Sequence, residues 1–222
     1  MSMSAPQSRR IVSINVGQPR EIEVGNRRVL TSIFKTPVYG KVALRRYNVQ
    51  GDRQSDLRVH GGPSKAVYSY SSEHYPFWAE QLPGTPLPVG AFGENLTTEG
   101  MLEEDVHIGD VFRAGSAILK VTQPRMPCYK LAIRMNRSDM VKRFWASGRS
   151  GTYFSIVEEG EFESGDPIEP LESDPRQLSV ADVVRLHKRE TDDPDLFSRA
   201  MEAPLSGSWK HEIRERWAQM AF

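Results

Sequence analysis

The sequence predicts a mainly β fold, a barrel or sandwich, followed by a small helical unit. Between Arg10 and Ile168 the chain is a series of short β-like runs broken by glycine, proline and asparagine. Past the stretch from Gly165 to Pro175 the hydrophobic period lengthens to that of helices. No internal repeat or low-complexity tract points to a solenoid instead. Residues 1–175 therefore read as the β domain and residues 176–222 as a three-helix appendage, a division that suits a chain of 222 residues.

The runs that read as strands are Ile11–Val16, Glu21–Val24, Arg28–Phe34, Val67–Tyr70, Val106–Phe112, Ala117–Thr122 and Tyr153–Val157. In the sixth, Ala117, Leu119 and Val121 alternate with Ile118, Lys120 and Thr122, which puts the first set on a buried face. Two helices interrupt the series. One follows Ser71-Ser72 and runs to about Leu82; the other starts at Ser138, carries Met140, Val141, Phe144 and Trp145, and stops at Gly148. In the appendage, Ser179 with Asp182 forms a capping box and Asp193-Pro194 an N-cap followed by a first-turn proline. Trp209, Ile213 and Trp217 then recur every four residues. That stripe reads as core, with a partner surface as the alternative.

Composition narrows the function. With 29 basic and 29 acidic residues the formal net charge is zero, so no global field draws the protein onto nucleic acid or anionic lipid. The single cysteine, Cys128, excludes an intramolecular disulfide and a CxxC pair and fits a reducing compartment. The polar amino terminus lacks an export signal, and no apolar run spans a membrane, so a cytoplasmic location is expected. Phosphate-loop, dinucleotide, nucleophile-elbow and HExxH motifs are all missing.

Three segments concentrate chemistry. GDRQSDLRVHGGPSKA, from Gly51, places His60, Gly61, Gly62 and Lys65 where paired glycines let backbone N–H groups approach an anion and a lysine adds a point charge. Gly61-Gly62-Pro63 reads equally as a plain turn, with Arg53, Arg58 and Lys65 a solvated face, and Asp52, Asp56 and His60 as metal ligands form a third reading. FGENLTTEG offers Asn95, whose amide donates and accepts at once and suits a heterocycle; a hairpin turn is the alternative. TQPRMPCYKL sets Cys128 between Arg125 and Lys130, cations that favour the thiolate, a nucleophile and soft metal ligand. Against that stands the ordinary role of a lone cysteine as a small buried hydrophobe.

In this order and spacing, GDRQSDLRVHGGPSKAV, FGENLTTEG and IGDVFRAGSAILKVTQPRMPCYKL resemble the MOSC family, most closely its YiiM-like bacterial branch, from about Ile11 onward. The resemblance implies a closed β-barrel with inserted short helices, a molybdopterin-type molybdenum cofactor, and Cys128 as the ligand of the metal. Asn95 matches an asparagine near the pterin in related amidoxime-reducing proteins. The implied activity is reduction of N-hydroxylated compounds such as hydroxylaminopurines, a detoxification of modified bases. The electrons would come from a separate donor reductase, because the chain carries no flavin, haem or iron–sulfur signature. A non-catalytic carrier of the cofactor or of sulfur, with a persulfide on Cys128, is the alternative. The three carboxy-terminal helices would cover the barrel, form a homodimer or dock the electron donor.

Overall fold

The alternation in Ala117–Thr122 marks the central strand. In the computed structural model, which describes residues 8–55 and 62–219, this strand (β10, Ala117–Pro124) buries Ala117, Leu119 and Val121 and leaves the intervening side chains half-exposed. It pairs antiparallel with β9 (Val111–Ala114) and β11 (Thr152–Glu158). Beyond β11 the sheet continues through β7 (Val67–Ser71), β8 (Leu96–Glu99) and β1 (Arg10–Val16) to β4 (Thr36–Val38); beyond β9 it ends at β13 (Ile168–Glu172). The strands β7 and β8 run parallel, and their connection holds helix α1 (His74–Gln81). A three-stranded sheet of β12 (Gly160–Phe162), β5 (Val42–Arg45) and β6 (Asn48–Val49) and a hairpin of β2 (Arg20–Val24) and β3 (Arg27–Thr31) lie beside it.

The fold is thus mainly β with several helices, but the expected closed barrel is not formed: β13 and β4 are the two ends of the large sheet. Near the approach to β13, β1 makes one isolated bridge, Arg10 to Pro167. Three backbone hydrogen bonds accompany it, from Ile11 N–H to the Asp166 carbonyl, from Gly165 N–H to the Ile11 carbonyl and from Ile168 N–H to the Arg9 carbonyl, while over Ile14–Val16 β1 pairs with β4 instead.

Other boundaries moved for local reasons. The run from Val106 becomes strand only at Val111, because His107 N–H donates to the Asp110 carboxylate and Gly109 takes φ +100°, turning the chain. The run from Arg28 stops at Thr31, whose hydroxyl accepts the Ile33 N–H. The second predicted helix spans Met140–Ala146 (α3), and a short helix with no sequence signal noted above, Tyr129–Arg134 (α2), begins directly after Cys128.

Past the sheet come helices α4 (Val180–Lys188), α5 (Pro194–Glu202) and α6 (Gly207–Ala218). Both bonds of the Ser179–Asp182 capping box are made, and Asp193 accepts from the N–H groups of Asp195 and Leu196. Leu178, Val183, Leu186, Trp209 and Ile213 belong to the same hydrophobic cluster as Ile11, Leu119 and Phe154 of the sheet, and Trp217 packs against it. A second cluster, rich in aromatics, gathers Tyr68, Tyr70, Trp78, Phe92 and Phe144. Among the described residues no helix is long and apolar enough to cross a membrane.

Candidate functional site

A cavity of about 590 Å³, counted to its open mouth, lies beside the aromatic cluster. Lys65, Asn95, Arg125, Cys128 and Lys130, five of the eight candidates, line it. Gly62 takes φ +96° as the cap of a 3-10 turn at Pro63–Lys65 but is not among the lining residues. His60 and Gly61 lie outside the described residues, as does Asp56.

The sheet brings the motifs together. Adjacent strands β7 and β11 set Tyr68 opposite Tyr153, with ring centroids 5.1 Å apart, and both rings face the cavity. Beyond the end of β10, Arg125 is buried with its guanidinium 4.7 Å from the Tyr68 ring centroid and 5.6 Å from that of Phe144. Its Nη1 donates to the Phe92 carbonyl at 2.5 Å. Three residues on, Cys128 is half-buried in the cavity wall. Lys130, 8% exposed, donates to Ser55 at 3.0 Å. Thr122 fixes the 3-10 turn by donating to the Ser64 carbonyl, which helps position Lys65.

Asn95 serves the fold as well as lining the cavity. Its Oδ1 accepts from Tyr68 N–H at 3.2 Å, and its Nδ2 donates to Asp52 Oδ2 at 2.9 Å. Neighbouring Glu94 accepts from the N–H groups of Gly90 and Phe92 and from the hydroxyls of Tyr75 and Thr97. Burial nevertheless pushes its carboxyl above the usual range. Gly93, at φ +81°, leaves so little room that a Cβ would stand 2.8 Å from Ile33 Cγ1.

Sequence reasoning missed Lys35, and the metal reading of Asp52 turns on Asp56 and His60, which lie outside the described residues. Lys35 Nζ donates to Asp52 Oδ1 at 2.6 Å, with the side chains 8% and 1% exposed, and both residues line the cavity. Asp52 also accepts from Gly17 N–H at 2.7 Å. Its carboxylate is therefore engaged by a lysine, an amide and a backbone donor. Among the described residues no group of three or more His, Cys, Asp or Glu side chains could hold a metal ion. The available signal for Lys35 was a lone lysine directly after the apolar pair Ile33-Phe34. Tyr68 and Tyr153 were read as strand positions, which they are, without a hint that they face a cavity.

Burial pulls the Lys35 ammonium below its ordinary range, while Asp52 and Glu94 oppose the shift. Lys65 is lowered by burial too. The Tyr153 phenol is pushed up by burial, with Arg125 acting against the shift and Cys128 adding to it. Among the described residues the wall thus joins one soft sulfur donor to four basic side chains, one of them paired with Asp52, and two phenol rings. Such a set can grip an anionic, flat, heteroatom-rich ligand and offer its metal a thiolate.

The family model described as the MOSC domain matches residues 56–169. The chain is 42% identical over 207 residues to the uncharacterized protein YflK of Bacillus subtilis, covering 93% of each. It is 35% identical over 189 residues to the protein YiiM of Escherichia coli, covering 84% of each. A Gibberella moniliformis protein named a reductase shares 31% identity over 209 residues, which are 93% of this chain and 37% of that one. The crystal structure of YiiM from Geobacillus stearothermophilus superposes with a TM-score of 0.77 at 38% identity, covering 94% of this chain and 99% of that one.

Proposed function

The chain belongs to the YiiM-like branch of the MOSC domain family, and from that membership and the cavity we propose that it is a molybdenum-cofactor-dependent oxidoreductase. Its substrates in this reading are N-hydroxylated compounds of the hydroxylaminopurine type, and a separate reductase supplies the electrons. One observation carries the proposal: the only thiol of the chain stands half-exposed in the wall of a cavity it shares with Lys65, Arg125 and Lys130.

The residues present fit the cofactor by the chemistry of the donor set. Cys128 would hold the metal through a soft thiolate, and Lys65 and Lys130 would offset the charge of thiolate and pterin phosphate. When bound, the cofactor supplies a centre that takes up and gives out two electrons. Arg125 holds the wall itself, its guanidinium tied to Phe92 and stacked on Tyr68 and Phe144. The two tyrosine rings give a planar base apolar surface to lie against. Asn95 locks the cavity floor through Asp52 and Tyr68. The relative named a reductase supports the reaction class.

Protein from a cofactor-competent host is expected to carry near-stoichiometric molybdenum and to reduce a hydroxylaminopurine with a reduced viologen dye as donor. Cys128→Ala is expected to lose both metal and activity. Metal retained in that variant removes the ligand assignment, and a fully loaded but inactive wild type removes the catalytic one.

A further inference from the structure

We propose that Lys35 is the proton donor of this cavity and that Asp52 holds it in place. The inference rests on the reductase reading, because reductive removal of oxygen from nitrogen consumes protons. In a hydroxylamine the N–O bond breaks as two electrons arrive from the donor reductase. One proton goes to the departing oxygen and one to nitrogen, giving the amine and water. Lys35 supplies the proton to the oxygen, becomes a neutral amine, and is recharged from solvent; the second proton is also taken from solvent.

The geometry has three parts. Lys35 lines the cavity that holds Cys128, so a substrate there lies within its surroundings. Its ammonium is nearly sealed from solvent and held at 2.6 Å by a carboxylate that Gly17 and Asn95 also fix, which restricts where the proton can point. Asp52 also lines a second, more open groove with Arg45, Asn48, Gln50 and Glu161, so this one residue adjoins both spaces.

The charges facing Lys35 come from several elements: Asp52 after β6, Glu94 before β8 and Arg125 after β10. Lys65, Lys130 and Cys128 share the wall. Burial outweighs the two carboxylates and lowers the ammonium from its ordinary 10.5, which brings it closer to neutral pH, as a general acid requires.

Lys35→Arg tests the assignment, because arginine keeps the charge beside Asp52 but does not release a proton in the working range. With the molybdenum-loaded enzyme, a hydroxylaminopurine and a reduced viologen dye, kcat is expected to fall about 100-fold or more. KM is expected to stay within about threefold, and the alkaline fall of kcat set by Lys35 is expected to disappear. A variant with wild-type kcat and the same pH profile overturns the proposal and leaves the reductase reading standing. A loaded wild type without turnover removes both.

A second readout needs no activity. In cofactor-free wild-type protein carrying labelled lysine, the Lys35 side-chain resonance, assigned by its loss in Lys35→Arg, is expected to titrate below the exposed lysines. If it titrates together with them, or if no distinct resonance is lost, Lys35 is not the proton donor.

Discussion

Asn95 Nδ2 donates to Asp52 Oδ2 at 2.9 Å, tying two loop motifs 43 residues apart into one cavity floor. The partners of this amide are buried, so removing it leaves a carboxylate oxygen and the Tyr68 N–H without a donor or acceptor. Asn95→Ala should therefore destabilise the protein by about 1–3 kcal/mol. Urea unfolding would show a lower midpoint with an unchanged slope; an unchanged midpoint would show that the amide is not structural.

Gly93 supports the same floor by having no side chain. At φ +81° a residue with a Cβ is strained by roughly 1–2 kcal/mol, and here the added atom also meets Ile33 at 2.8 Å. Gly93→Ala is expected to lose at least that much stability, and Ile33→Ala/Gly93→Ala to recover only the steric part. The double variant matching wild type in chemical denaturation would refute the backbone argument.

His187 makes stability depend on pH. Its ring is buried between Trp145 and Trp209, with centroids 5.1 and 5.2 Å away, and Nε2 bonds Glu212 at 2.8 Å. Burial lowers its pKa from 6.5, helped by Arg216 and opposed by Glu212. The unfolded chain therefore takes the proton first. The stability of the neutral ring is fully present above pH 6.5 and is lost as pH falls from there through the lowered folded value. Thermal melts of wild type should fall more steeply over that window than those of His187→Phe. Parallel curves would exclude His187 as the cause.

Ser179 caps the first carboxy-terminal helix, and that helix shares a hydrophobic cluster with the sheet. Ser179→Ala should lower stability by about 1 kcal/mol. A shared core makes the loss global, so tryptophan fluorescence and far-ultraviolet circular dichroism should shift together. Two separated transitions would instead make the helices an independent unit.

Much of the fold could be read from local pattern. Alternation placed Ala117, Leu119 and Val121 on the buried face, and the capping residues Ser179 and Asp193 began their helices where expected. The strands β4, β5, β6, β12 and β13 gave no such signal, since each is only two to five residues long and is held by its partner strands rather than by periodicity. At the site, Cys128, Arg125 and Lys130 stood out because they are close in sequence. Lys35 did not, because the carboxylate that gives it meaning is 17 residues away.

The sequence by itself determined the mainly β character, the helices past residue 175, the single thiol with its basic neighbours, and a resemblance strong enough to name a family. Only the tertiary structure decided that the large sheet stays open and that the Asp52 carboxylate binds Lys35 and Asn95. It alone placed Tyr68, Tyr153 and Lys35 around the same space as Cys128. Periodicity and capping act over a few residues and leave their mark in local order. Ion pairing inside a cavity depends on distances that exist only after strands far apart in the chain have come together.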